Sequence, residues 1–252
     1  MLELKNICAG YGKKQVLTDI SLSFPKSGFL SVVGPNGSGK STLLKAATGI
    51  LPLSSGDVHI DGEKLSGLSR RRLAEKVAYL SQGKNIPDMT VSQLVLHGRF
   101  PHLSYPRRYT DRDHGIVSSA LHALGISDLA DRPLASLSGG MRQNAYIAMA
   151  LAQDADYILL DEPTAYLDIQ HQLALMKTLR KLAGLGKGVV AVLHDLPLAF
   201  AFSDGIVVLK EGAVAAEGAP AAIYKRPVIR EVFGVELGYA KEEQSYRYQY
   251  CR

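Results

Sequence analysis

Cysteine is nearly absent from this chain of 252 residues: Cys8 and Cys251 stand at opposite ends, without metal-ligand spacing. A reducing, cytoplasmic setting is the plain reading. Long apolar runs are missing too, and none approaches the ~18 residues that would suggest a membrane span. The opening Met1-Leu2-Glu3-Leu4-Lys5 lacks a basic region followed by an apolar run, which argues against a signal peptide. No repeat, low-complexity tract or long linker interrupts the chain. What is present, 46% apolar and 21% charged residues, is an ordinary soluble composition. The net charge of +5 admits nucleic acid or an anionic membrane surface as partner. Yet the basic residues are scattered, apart from Arg70-Arg71-Arg72 and Arg107-Arg108, and such short runs are usually solvated faces. The charge alone decides nothing.

Periodicity organises the rest. Ile20, Leu22 and Phe24 alternate with polar residues as in a strand, downstream of the turn signal Gly10-Tyr11-Gly12. Phe29-Leu30-Ser31-Val32-Val33 reads as a buried strand entering a glycine-rich loop, and Leu43, Leu44, Ala47 and Ile50 then follow a helical spacing. Two more apolar strands, Tyr157-Ile158-Leu159-Leu160 and Val189-Val190-Ala191-Val192-Leu193, flank a one-sided helix closed by Gly184. Strand–helix–strand order with apolar strands predicts a parallel sheet covered by helices. Residues 206–209 and 213–215 read as a hairpin across Glu211-Gly212. From about residue 85 to 153 strand signals vanish, and residues 91–97, 113–124 and 139–152 look helical.

Gly34-Pro35-Asn36-Gly37-Ser38-Gly39-Lys40-Ser41 fits the phosphate-loop pattern and has its required context, a strand before and a helix after. Glycines let backbone N–H groups turn inward around phosphate oxygens, and the helix points its positive end at the same anion. Lys40 is placed to reach the β- and γ-phosphates of ATP, and Ser41 to ligate Mg²⁺. At the end of a second buried strand, Asp161 can hold Mg²⁺, and Glu162 is the natural base or positioner for an attacking water. Either motif alone is weaker than the two on one predicted sheet.

At Leu137-Ser138-Gly139-Gly140 the sequence resembles the ATP-binding-cassette family. Ser138 is a good helix N-cap, and Gly139 and Gly140 expose N–H groups at the helix start. The resemblance covers about residues 1 to 235. It implies an α/β fold: a phosphate-loop (RecA-like) parallel-sheet core with an N-terminal antiparallel β subdomain and an inserted helical subdomain. The division falls at 1–84 with 154–252 for the ATPase core and 85–153 for the helical part. Nucleotide contacts are implied for Gly34 through Ser41 and for Thr42. Tyr11 matches the aromatic that stacks on adenine. Gln82 matches the glutamine that senses Mg²⁺ and the transmembrane partner. His194 matches the histidine that contacts the γ-phosphate, and Leu167-Asp168 the loop bridging two subunits. In the family two copies pack head to tail, and the Ser138-Gly139-Gly140 segment closes over the nucleotide of the other copy. Met141 departs from the family's usual glutamine, and Ala165-Tyr166 from its usual lead-in to the bridging loop.

Asp88-Met89-Thr90-Val91 and His97-Gly98-Arg99-Phe100-Pro101-His102 further resemble importers of iron–siderophore chelates, haem and cobalamin. That resemblance implies permease subunits received in a groove that Arg99 could contact, an extracytoplasmic substrate-binding protein acting indirectly, and a place at the cytoplasmic face of the membrane. The spacing of His97 and His102, with no carboxylate partner, argues against a metal site. No nucleic acid is expected as partner. The alternative is an ABC-type ATPase acting on nucleic acid or ribosomes, and a further rival is a non-enzymatic nucleotide switch. The tail from Tyr239 to Arg252 reads as a frayed end or an edge strand.

Overall fold

The structure is a computed structural model and describes residues 1–81, 86–165, 167–240 and 245–249. In chain order its elements are β1 (Leu2–Tyr11), β2 (Lys14–Phe24), β3 (Gly28–Val33), α1 (Lys40–Ala47), β4 (Leu53–Ile60), β5 (Glu63–Lys64), α2 (Arg70–Lys76) and β6 (Val77–Leu80). Three helices follow, α3 (Val91–His97), α4 (Asp111–Ala123) and α5 (Gly139–Ala152). Then come β7 (Tyr157–Asp161), α6 (Ile169–Gly184), β8 (Gly188–Val192), α7 (Leu196–Phe202), β9 (Gly205–Lys210) and β10 (Ala213–Gly218). The chain ends in α8 (Pro220–Tyr224), α9 (Val228–Phe233), β11 (Glu236–Ala240) and β12 (Ser245–Gln249).

The main sheet runs β10-β9-β3-β8-β7-β6, with every pair parallel except the β9–β10 hairpin. A second, antiparallel sheet runs β2-β1-β4-β5. The period-two alternation of strands sorts the apolar runs onto two cores. Phe29, Val33, Ile158, Leu160, Val189, Ala191, Ile206 and Val208 join α3 to α7 on one face. Val32, Tyr157, Leu159, Val190, Val192, Val207 and Leu209 join α1 and the antiparallel sheet on the other. Both faces are covered, so these strands read as unbroken apolar runs rather than alternating ones. α1 is therefore wedged between two sheets, with Leu43, Leu44, Ala46 and Ala47 buried.

β6 and β7 are neighbours in the sheet, yet α3, α4 and α5 lie between them in sequence. Helix 113–124 of the sequence reading begins two residues earlier. Thr110 caps it by accepting from the Asp113 N–H while Asp113 accepts from the Thr110 N–H, a capping box. α6 ends at Gly184, the residue read as closing it. The chain then turns at Leu185, the C-cap, and Gly186, whose φ of 91° suits glycine. Of the two readings of the tail, the edge strand holds over 245–249, where β12 pairs with β11 and packs on α7. Residues 250–252 lie outside the described set. Among the described residues no helix is long and apolar enough to cross a membrane.

Candidate functional site

Parallel pairing decides which residues can meet. Val32 of β3 pairs with Val192 of β8, and Val192 pairs with Asp161 of β7. The phosphate loop, Glu162 and His194 therefore leave one sheet edge at the carboxyl ends of three adjacent strands, where open α/β sheets place their ligands. Asp161 shares a strand face with Tyr157 and Leu159, so its carboxylate faces α1 rather than the opposite helices.

The loop from Gly34 wraps onto α1. Gly37 and Gly39 have φ of 78° and 102°, which side-chain-bearing residues rarely adopt. Gly39 takes the N-cap position of α1 with no side-chain cap, and the first turn carries no acidic residue. Its N-terminal N–H groups and positive end are thus available to an anion. Ser38 is buried, and its Oγ has no hydrogen-bond partner among the described residues. Lys40 is only 5% exposed, and its Nζ donates to Gly34 O at 2.8 Å and Pro35 O at 2.9 Å. Burial lowers its pKa, opposed by the nearby Glu162 and Asp161 charges.

Ser41 Oγ donates to Asp161 Oδ1 at 2.8 Å, and the Tyr79 hydroxyl donates to Oδ2 at 3.3 Å. Burial pushes the Asp161 carboxyl up; the Ser41 hydrogen bond opposes this, and the Glu162 charge adds to it. Burial likewise raises the Tyr79 phenol, with Asp161 contributing, so Tyr79 stays a donor. His194 Nε2 stands 2.6 Å from Glu162 Oε1. A cavity of about 400 Å³ opens here, lined by Lys14, Val16, Asn36, Lys40, Thr42 and Glu162 among others.

These residues fit a nucleotide phosphate and a hard cation. Lys40 folds back onto loop carbonyls in a cleft of oxygen acceptors and backbone donors, a geometry an anion would compete for. Among the described residues no group of three His, Cys, Asp or Glu could cage a metal by itself. The adjacent oxygens of Ser41 and Asp161 instead suit Mg²⁺, which keeps waters and substrate phosphates in its coordination shell. Glu162 has φ of 51°, a left-handed backbone unusual for a non-glycine residue and costing about 1–3 kcal/mol.

The other sequence-derived residues lie elsewhere. Tyr11, about half exposed at the end of β1, does not line that cavity; Lys45 of α1 stands 5.9 Å over its ring. Ser138, Gly139 and Gly140 open α5, where the Ser138 hydroxyl accepts from Met141 N, and none of the three lines the cavity. Asp168 caps α6 by accepting from His171 N, and hydrogen bonds from His171 hold its carboxyl below the usual range. A Cβ on Gly140 would meet Leu167 at 3.3 Å and His171 at 3.6 Å, so the two segments form one surface. Gln143 turns inward to Pro163 O and does not stand in for a polar residue at Met141. Gln82 lies outside the described residues, as does Tyr166.

Arg99 corrects the sequence reading. It is buried, its Nε 3.0 Å from Asp113 and its Nη1 donating to Ala152 O, and so it joins α3 to α4 and α5 instead of facing a partner. Burial would raise Asp113, but bonds from Thr110 and Arg99 hold it down at about 2. The nearby groove of about 850 Å³ is lined instead by Arg70, Arg71, Phe100, Leu103, Tyr105 and Arg107. Arg107 lies 4.3 Å over the Phe100 ring. Tyr79 escaped the sequence reading as a site residue, because only its position one strand from Asp161 brings it there.

The comparisons with known proteins agree with this geometry. The profile described as ABC transporter matches residues 17–165. The petrobactin import ATP-binding protein FpuD of Bacillus anthracis is 38% identical over 237 residues, covering 93% of this chain and 87% of that protein. The ferric enterobactin transport ATP-binding protein FepC of Escherichia coli (strain K12) is 39% identical, covering 92% and 86%. The dimeric structure of a post-hydrolysis state of an ATP-binding cassette, bound to ADP and Pi, superposes with a TM-score of 0.77 at 30% identity, covering 87% of this chain and 99% of that one. This chain belongs to the ABC transporter family, as one of its ATP-hydrolysing cassettes.

Proposed function

We propose that the chain powers an importer for iron–siderophore, haem or cobalamin-type chelates. The observation that carries this is the match, over nine-tenths of the chain, to the import proteins for petrobactin and ferric enterobactin. The chain works as a head-to-tail pair at the cytoplasmic face of the membrane, beneath permease subunits fed by an extracytoplasmic binding protein. The groove over Phe100, Leu103 and Tyr105, rimmed by Arg70, Arg71 and Arg107, suits an apolar helix with acidic residues. The alternative, an ATPase on nucleic acid or ribosomes, finds no support among these relatives.

Within each site, backbone donors from Gly34, Asn36, Gly37, Ser38 and Gly39, in a loop shaped by Pro35, cradle the phosphates with Lys40 and Thr42, and Tyr11 stacks on the adenine. Ser41, Asp161 and Gln82 would hold Mg²⁺, which when bound would offset the negative charge of the phosphates. Glu162 orients a water and takes its proton as the water oxygen attacks the γ-phosphorus and the bond to the ADP oxygen breaks. His194 steadies Glu162 and contacts the γ-phosphate. Residues 85–153 act as the unit presenting Ser138, Gly139 and Gly140 to the second copy's γ-phosphate, with Asp168 bridging the pair. Release of phosphate removes the anion joining the halves, and the pair opens.

The test is purification of the tagged chain from its own solubilised membranes. Co-purification with a polytopic permease of the iron-chelate class is the expected outcome. A chain arriving with ribosomes or nucleic acid and no permease would overturn the transport reading.

A further inference from the structure

His194 sits on a short segment pinned at both ends. Before it, Leu193 N donates to Val32 O at 3.1 Å, which ties the segment to β3. After it comes α7, whose first-turn N–H groups have no partner within the helix. Pro197 brings no N–H. Leu198 N donates to Asp195 Oδ1 at 2.8 Å, and Ala199 N to Asp195 O at 3.0 Å. The remaining donor, Leu196 N, goes to the hydroxyl of Tyr248 at 3.1 Å. That side chain comes from β12, far away in sequence.

The ribbon that delivers Tyr248 is itself fixed. Tyr246 lies on the same strand face, two residues earlier. Its ring stacks 5.1 Å from Phe200, a buried residue of α7, and 5.4 Å and 5.0 Å from Tyr224 and Tyr239. Packing of this kind holds an aromatic ring in place without using its hydroxyl. Burial raises the Tyr248 phenol and Asp195 adds to this, against the Leu196 bond, so the group remains neutral.

We infer that Tyr248 is a positioning residue for hydrolysis: its hydroxyl fixes the backbone two residues after His194, and through it the imidazole against Glu162. The inference rests on the role given to His194 above. Tyr248, in the tail, thereby has a function at the nucleotide site.

The experiment is steady-state ATP hydrolysis by the full chain carrying Tyr248→Phe, with Tyr246→Phe and His194→Ala beside it. Tyr248→Phe is expected to lower kcat about fivefold with KM for ATP within about twofold, the loss of one hydrogen bond felt in the transition state. Hydrogen exchange at the Leu196 amide should rise in the same variant. Tyr246→Phe, which keeps the ring, should leave kcat unchanged. If His194→Ala is inactive but Tyr248→Phe retains full kcat, the inference fails alone. If Tyr246→Phe does the same damage, or KM rises with falling kcat, the ribbon is only structural and the inference fails. A fully active His194→Ala overturns the role of the histidine and the inference with it.

Discussion

Two helices in this molecule carry glycine at their N-terminal ends, Gly39 as the cap of α1 and Gly139 as the first residue of α5, and these ends are built in opposite ways. α1 starts at Gly39 with no side-chain cap, has Lys40 beside its first turn, and is buried between two sheets. α5 follows an exposed Ser138 cap that already occupies one of its donors, turns its first-turn cation Arg142 back onto the Leu134 and Leu137 carbonyls, and carries an exposed Met141. The first is a complete anion site fixed by the core. The second supplies donors whose ligand has to come from outside its own cavity. The difference teaches that, on the proposed function, binding and hydrolysis are separable: one helix would suffice to hold phosphate, while the reaction would wait for both.

The largest effect should come from breaking the chemistry and leaving both helices intact. Glu162→Gln should reduce hydrolysis by about 10²–10⁴-fold, the usual worth of a positioned base, while ATP still drives dimerisation, read by single-turnover assay and gel filtration. Ser138→Arg next attacks the second helix alone. Hydrolysis should fall by about 10²-fold, as for a lost transition-state donor, with the nucleotide affinity of the single chain unchanged. A matching loss of affinity would erase the distinction between the helices.

The support of α5 can be loosened without touching either helix start. Arg99→Ala strands Asp113 and should cost about 3 kcal/mol in denaturant unfolding. Because the folded Asp113 carboxyl is depressed to about 2, its contribution is complete above the ordinary carboxylate value. It is lost as pH falls from about 4 toward 2, so wild type and variant should converge there. The smallest effect belongs to Tyr79→Phe, which removes one of two hydroxyls on Asp161. The Mg²⁺ concentration for half-maximal binding of a fluorescent ATP analogue should rise about threefold, with little change when Mg²⁺ is saturating.

Local spacing carried most of this. Gly34 through Ser41, Asp161-Glu162 and Ser138-Gly139-Gly140 are legible because their chemistry needs consecutive residues next to a strand or helix end. Helices 91–97 and 139–152 were legible from apolar periodicity. The contact of Tyr79 with Asp161 spans 82 residues and that of Tyr248 with Leu196 spans 52, and no local period encodes either. Arg99 misled because an arginine at a helix end is usually solvated; here Asp113, the Ala152 carbonyl and a tight packing of three helices draw it inside. α7 is apolar throughout and α8 and α9 are only one to two turns long, so none of the three shows a period.

The row Val32, Val192, Asp161 has one more consequence. Adjacent strands lie about 4.8 Å apart, a spacing set by backbone hydrogen bonds and indifferent to side chains. The phosphate loop, His194 and Asp161 follow or end one strand each on that ladder, so the peptide backbone serves as the ruler of the candidate site. Apolar residues beneath it can be exchanged without altering the scale. A slip of one rung would instead turn Asp161 to the far face, so the site assembles as a whole or not at all.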